Sequence, residues 1–401
     1  MNVFRKIYCR LYQGALYVGM AFMPWHEPEL LQGTGSFEKS VDFMLKNNVR
    51  RPLVVCDKSA LERNALKPFF DNAENKLQYA VFDGVMPNPT VKQVEQGLLV
   101  FRQNQCDGIL AFGGGSAMDC AKAIGARAVR PKKTVNQMKG LLKVNKKLPP
   151  FFAVPTTAGT GSECTVAAVI TDGETHDKYA INDFSLIPRY AILDAELTAG
   201  LPPFLTATTG MDALTHAVEA YVGRSNTRKT KRQAEQAVKL IFENLKEATV
   251  NGKNLVAREN MQKAAYLAGL AFTRAYVGYV HALAHALGGL YGIAHGYANA
   301  VLLPRVLDAY GKSAEMKLSK LAKIAGVADK SDKSAVASRK FIEAIDNLNF
   351  ELNIPRTFDG KIKREDFETL ARHADKESNP LYPVPKLMNA KELERIYYSV
   401  E

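Results

Sequence analysis

Cysteine, histidine and tryptophan are all scarce in this chain of 401 residues, with five, seven and one respectively. Cys9, Cys56, Cys106, Cys120 and Cys164 are odd in number, form no CxxC pair, and several sit in apolar runs. That pattern excludes a disulfide framework and implies reduced thiols in a cytoplasmic protein. No internal repeat and no low-complexity tract is visible. The net charge is +12, yet the basic residues are scattered in small groups such as Arg130-Pro-Lys-Lys133. Without aromatic residues interleaved to stack on bases, this reads as a solvated basic surface and not as a nucleic-acid footprint. An anionic cofactor would still be drawn to it.

Long hydrophobic runs are missing too. The longest candidate, Leu11 to Met23, follows Arg5, Lys6 and Arg10 and loosely imitates a signal sequence. Gln13 and Gly14 interrupt it, Pro24-Trp25-His26 offers no cleavage site, and the run is too short to span a bilayer. The expectation is an amphipathic helix packed on the body or on a partner subunit, with no stable membrane insertion. Weak contact with a membrane surface is the second reading.

What remains alternates. Arg51–Asp57, Leu77–Phe82, Cys106–Phe112, Pro149–Val154 and Ala191–Asp194 read as short buried strands, and Val91–Asn104 and Ala117–Ala128 as helices. Val166–Thr171 and Tyr179–Ile181 flank a hairpin-like turn at Asp172-Gly173. The alternation predicts a mostly parallel α/β sheet. After Leu201-Pro-Pro203 only helical periodicity is seen. The expected domains are therefore a helical extension over 1–27, an α/β dinucleotide-binding domain over 28–197, and an all-helical metal-binding domain over 198–401. A cleft between the two larger domains would bring cofactor and metal together.

There is no GxGxxG fingerprint, but the third of these strands runs directly into Gly113-Gly114-Gly115-Ser116 and a helix. Glycines there let backbone N–H groups approach a pyrophosphate, and the helix N-terminus favours its charge. Asp57, at the end of an earlier strand, can accept from a ribose hydroxyl and repel a 2′-phosphate, which favours NAD over NADP. It can equally serve as a helix N-cap. Thr156, Thr157 and Thr160 lie in a hydroxyl- and glycine-rich loop suited to phosphate, ribose or carboxamide. Lys178 can reach a phosphate.

The few histidines are concentrated. His281 and His285 share a helical face, and His295 comes fourteen residues after His281. On one straight helix His281 and His295 would be about 21 Å apart. Gly288, Gly289 and Gly292 intervene, so we expect a helix, a glycine break and a return of His295 toward His281. Asp212 and His216 stand one turn apart on another predicted helix. Together with two of the other histidines they make a set of one carboxylate and three imidazoles, suited to Fe(II) or Zn(II) with a position open for an oxygen ligand.

In order along the chain, Met86-Pro-Asn-Pro-Thr90, Asp107 to Lys122, Pro155-Thr-Thr-Ala-Gly-Thr-Gly-Ser-Glu163, Gly210 to Glu219 and His281 to His295 resemble the iron-containing (group III) alcohol dehydrogenases, over roughly residues 28 to 400. The resemblance implies that Asp212, His216, His281 and His295 hold the metal while His285 lies nearby without binding it. It places Gly113, Gly114, Gly115 and Ser116 on the pyrophosphate, Thr156, Thr157, Thr160 and Lys178 around the cofactor, and Asp57 at the position that selects NAD. The implied activity is NAD(P)-linked dehydrogenation of an alcohol or reduction of an aldehyde. Fe(II) is the expected metal, Zn(II) the alternative, and His285 a proton relay. A homodimer acting on a small alcohol or aldehyde is expected. The alternatives are a zinc-dependent, glycerol dehydrogenase-like polyol oxidoreductase, and a basic non-catalytic binding protein. Three departures stand out: Ala294 replaces a proline before the last histidine, residues 1–25 extend beyond the usual start, and Arg274-Ala-Tyr276 replaces smaller residues.

Overall fold

The computed structural model describes residues 1–173 and 178–401. It divides into two units, one formed by Pro24–Gly200 and one by Met1–Met23 with Leu201–Glu401.

In the first unit, six strands form one parallel sheet. They are β1 (Glu29–Gln32), β2 (Pro52–Val55), β3 (Ala80–Phe82), β4 (Gly108–Gly113), β6 (Phe151–Pro155) and β9 (Tyr190–Leu193), in the order β1-β9-β6-β4-β2-β3. All their pairings are parallel. Parallel sheets are covered on both faces, so their strands read as continuous apolar runs. Here alternate residues divide between two cores. Leu53, Val55, Ile109, Ala111 and Ala153 join one, while Val54, Leu110, Phe112, Phe152 and Val154 join the other. A smaller sheet is made of β5 (Gly140–Leu141), β7 (Ala167–Thr171) and β8 (Lys178–Asn182), with β7 and β8 antiparallel.

The parallel order puts the carboxyl ends of β6, β4 and β2 side by side. Gly113 pairs with Pro155, and the Thr156 amide donates to the Gly113 carbonyl at 3.0 Å. The glycine turn and the threonine loop therefore leave the sheet together, at the edge where open α/β sheets bind ligands.

The second unit is helical. Its central helix, Pro203–Val222, opens with proline in its first turn, where a missing N–H costs nothing. Every residue from Gly210 to Val222 is buried, as expected of a helix that is apolar or pairs its polar groups all round. Leu255–Ala275, Tyr279–Tyr291 and His295–Tyr310 follow. The N-terminal helix α1 (Val3–Ala21) belongs to this unit and not to the α/β unit that follows it in the chain.

Candidate metal centre and dinucleotide cradle

Asp212 and His216 sit one turn apart inside the Pro203–Val222 helix, both buried. His281 lies in the first turns of Tyr279–Tyr291. Of the three glycines among which a break was expected, Gly288 and Gly289 stay helical and do not interrupt the helix. Only Gly292 does so, in the left-handed region at φ 65°, the usual helix C-terminal device. The chain then reverses, and His295 opens the next helix. Gly296 makes the approach possible. A Cβ on it would lie 2.4 Å from the Thr208 carbonyl oxygen and 3.5 Å from the Asp212 Cβ. The missing side chain lets the start of this helix press against the helix carrying Asp212.

As a result, one ligand atom each from Asp212, His216, His281 and His295 lies within 4.8 Å of the others. His281 Nε2 is 3.8 Å and His295 Nε2 3.5 Å from the same Asp212 Oδ1. The rings of His216 and His281 stack at 4.5 Å, and His216 stacks on Phe272 at 4.1 Å.

The donor set fits a divalent cation. Burial, then the neighbouring histidines, hold His281 well below the ordinary imidazole value, so its ring is neutral and offers a lone pair. The Asn299 amide Nδ2 faces Asp212 Oδ1 at 2.7 Å, His295 Nε2 at 3.1 Å and His281 Nε2 at 3.3 Å. Its partly positive N–H groups point at three converging acceptors, which is the electrostatic demand a metal ion satisfies more fully.

A second layer orients the ligands. Glu219 is fully buried on the Pro203–Val222 helix. Its Oε2 pairs with His281 Nδ1 at 2.6 Å and accepts from the Gly278 amide at 2.7 Å, and its Oε1 accepts from the Val280 amide at 2.8 Å. Burial pushes the Glu219 carboxyl up to about 7, and the backbone donors work against it. With Nδ1 as donor to the carboxylate, Nε2 of His281 is left for a metal, the arrangement that fixes tautomer and ring in metal sites.

His285 lies beside this cluster. Its ring stacks on His295 with centroids 5.1 Å apart, and Nδ1 reaches Glu377 Oε1 at 2.7 Å. Tyr382 donates to the same oxygen at 2.7 Å. Burial alone would raise the Glu377 pKa, but the charge of His285 and the two hydrogen bonds prevail, and it stays below the usual value.

In the α/β unit the cofactor candidates gather at the sheet edge. Gly114 caps the Gly115–Val129 helix, placing Gly115 and Ser116 in its first turn. A Cβ on Gly115 would lie 2.9 Å from Thr160 Cγ2, and one on Gly114 would lie 3.4 Å from Thr157. Asp57 Oδ2 lies 3.9 Å from where a Gly113 Cβ would stand. Asp57 also caps a short helix, accepting from the Ala60 amide at 3.1 Å. Lys178 opens β8 on the smaller sheet, where Nζ donates to Asn88 Oδ1 at 2.8 Å. These glycines leave the backbone bare where a pyrophosphate would lie, so the cradle fits a dinucleotide.

Sequence reasoning missed Glu219, Asn299, Glu377 and Tyr382. The first two had a signal. Glu219 lies at i+7 from Asp212, and Asn299 at i+4 from His295, so each shares a helical face with a ligand. Glu377 is 92 residues from His285, and only the tertiary fold brings them together.

The model for the iron-containing alcohol dehydrogenases matches residues 28–195, and that for the C-terminal part of the Fe-containing alcohol dehydrogenase family matches residues 206–400. A 1,3-propanediol dehydrogenase of Klebsiella pneumoniae is 42% identical over 352 residues, covering 87% of this chain and 90% of the relative. Among solved structures, a 1,3-propanediol oxidoreductase has a TM-score of 0.91 at 38% identity, covering 95% of this chain and 100% of the other. A sulfoacetaldehyde reductase from Bifidobacterium kashiwanohense, solved with NAD+, has a TM-score of 0.84 at 28% identity, covering 94% and 99%.

Proposed function

This chain belongs to the iron-containing alcohol dehydrogenase family, and from that premise we propose that it interconverts a short primary alcohol or diol with its aldehyde, using Fe(II) and NAD. The observation that carries this is the convergence of one carboxylate and three imidazoles within 4.8 Å. The diol in the names of two similar proteins supports the substrate class.

Asp212, His216, His281 and His295 would hold the metal, and Glu219 keeps His281 in the correct tautomer. The metal would supply Lewis-acid polarisation of the substrate oxygen, and the nicotinamide the hydride exchange. The remaining work falls to the chain itself. Gly113, Gly114, Gly115 and Ser116 present backbone N–H groups to the pyrophosphate, with Thr156, Thr157, Thr160 and Lys178 around the rest of the cofactor. Asp57 accepts from a ribose hydroxyl and disfavours a 2′-phosphate, which is the argument for NAD over NADP. His285 takes up and returns the hydroxyl proton, with Glu377 holding its Nδ1 and stabilising the imidazolium. Three imidazoles and a carboxylate accept zinc as well as iron, and the family favours iron. The five buried, free cysteines support a reducing, cytoplasmic setting. We propose a homodimer as the working assembly.

The test is anaerobic purification, metal analysis, and a screen for NADH and NADPH formation over primary alcohols, diols and glycerol. One metal per chain and NAD-linked turnover of short alcohols are expected. Turnover that survives complete metal removal would refute the proposal.

A further inference from the structure

Helix α1 is docked by its polar residues and shows its apolar ones to solvent. On the docked face, Arg5 pairs with both oxygens of Asp375 at 2.9 and 2.7 Å. Arg10 donates to the carbonyls of Val384 and Pro385, and Gln13 to those of Pro380 and Tyr382. Cys9 and Gln13 are its two fully buried residues. On the opposite face Phe4, Ile7, Leu11, Val18 and Phe22 form one stripe at helical spacing, with exposures of 85%, 52%, 69%, 59% and 83%.

Among the described residues, nine of the 24 exposed large hydrophobic ones lie on this one segment, from Val3 to Phe22, and the others are scattered. A contiguous exposed apolar surface of this kind marks an interaction site.

The charge pattern says what it fits. Residues 3–22 contain no acid, and besides Arg5, which Asp375 pairs, they carry Lys6 and Arg10, in a chain of net charge +12. Beside the stripe is an open groove of about 460 Å³ where Lys6, Arg10 and Lys386 meet a single acid, Glu392. A second copy of this helix would bring no carboxylate to those cations, and Gly14 leaves a gap where a paired helix needs a knob. An anionic lipid surface supplies both complements: hydrocarbon for the stripe and negative headgroups for the cations.

We propose that α1 docks the protein peripherally on anionic phospholipid membranes. It lies in the interface plane, with Phe4, Ile7, Leu11, Val18 and Phe22 at the boundary between headgroups and acyl chains. The helix is already folded and anchored through Arg5, Arg10 and Gln13, so docking does not have to order it, and the rest of the chain stays in water.

The test is co-sedimentation of the full, metal-loaded chain with vesicles of phosphatidylcholine alone or of an equimolar mixture with phosphatidylserine. The wild type should partition onto the mixed vesicles, less onto the neutral ones, and less again in high salt. The Phe4→Ser/Leu11→Ser double variant alters only exposed side chains. It should lower that partition about tenfold or more, with dehydrogenase activity and molecular mass unchanged. Should the double variant melt early, Lys6→Glu provides the second test and should weaken binding to the mixed vesicles alone. Equal partition of wild type and variants, or equal binding to neutral and anionic vesicles, overturns the proposal. So does a fall in molecular mass of the double variant by light scattering, which would show that a second copy covers the stripe.

Discussion

Replacing Glu219 by glutamine keeps the side-chain shape and changes what it can accept. The carboxylate takes three donors: His281 Nδ1 at 2.6 Å, the Gly278 amide at 2.7 Å and the Val280 amide at 2.8 Å. Glutamine has one acceptor oxygen. If that oxygen faces His281 and Gly278, its NH₂ meets the Val280 N–H, donor against donor. If it faces Val280, two donors are orphaned. Either seating leaves at least one buried polar group unsatisfied, a cost of about 1–3 kcal/mol. In a unit of this size that lowers the melting temperature by about 2–4 °C per kcal/mol. The metal should feel a separate effect, because outer-shell partners of ligating histidines are worth about 10–100-fold in affinity, or about 1.4–2.8 kcal/mol. The assay is chelator competition of metal-reconstituted Glu219→Gln against wild type, with thermal melting of both metal-free proteins. The expected result is weaker metal binding, with activity recovered in excess metal. An early melt with unchanged metal affinity would refute the reasoning, since Glu219 would then hold the Gly278–Val280 turn and not the ligand.

Glu377→Gln removes the carboxylate on His285 Nδ1, which disfavours the imidazolium, so the acid limb of the pH–kcat profile should move to lower pH with metal content unchanged; an unmoved limb contradicts the relay. Burial raises Glu163 to about 7 from an ordinary value of 4.5. The folded state therefore holds that proton more tightly than the unfolded one. Its stabilising effect is complete below about 4.5 and is lost as pH rises through about 7. Glu163→Gln, which mimics the protonated form, should gain on wild type in melting temperature across that window, and a pH-independent difference would contradict it. Ala294 has φ −58°, already in the range proline requires. Ala294→Pro should raise stability by about 0.4–1 kcal/mol by restricting the unfolded chain, as read by denaturant melts, while a loss would show that the loop carrying His295 has to move there.

How much of this was legible beforehand depended on sequence distance. Asp212 and His216 could be paired because a helix sets i and i+4 side by side. The return of His295 was legible as a glycine break, but not which glycine made it. Gly288 and Gly289 tolerate helical backbone, and only Gly292 takes a positive φ. The parallel sheet was legible because strands buried on both faces must be apolar throughout. The His285–Glu377 contact was not, because no local periodicity links residues from separate helices. Nor was the orientation of α1. An amphipathic pattern says that a helix has two faces. That the polar face is the docked one follows from Asp375 and the carbonyls of residues 380–385, about as far along the chain as a partner can be.

Asp212, His216, His281 and His295 are proposed to share one ion. Metal analysis of anaerobically purified wild type and His281→Ala tests it most directly, with folding checked by circular dichroism. One equivalent of metal is expected in the wild type and next to none in the folded variant, with loss of dehydrogenase activity in parallel. A folded His281→Ala protein that keeps its metal and its turnover would contradict it.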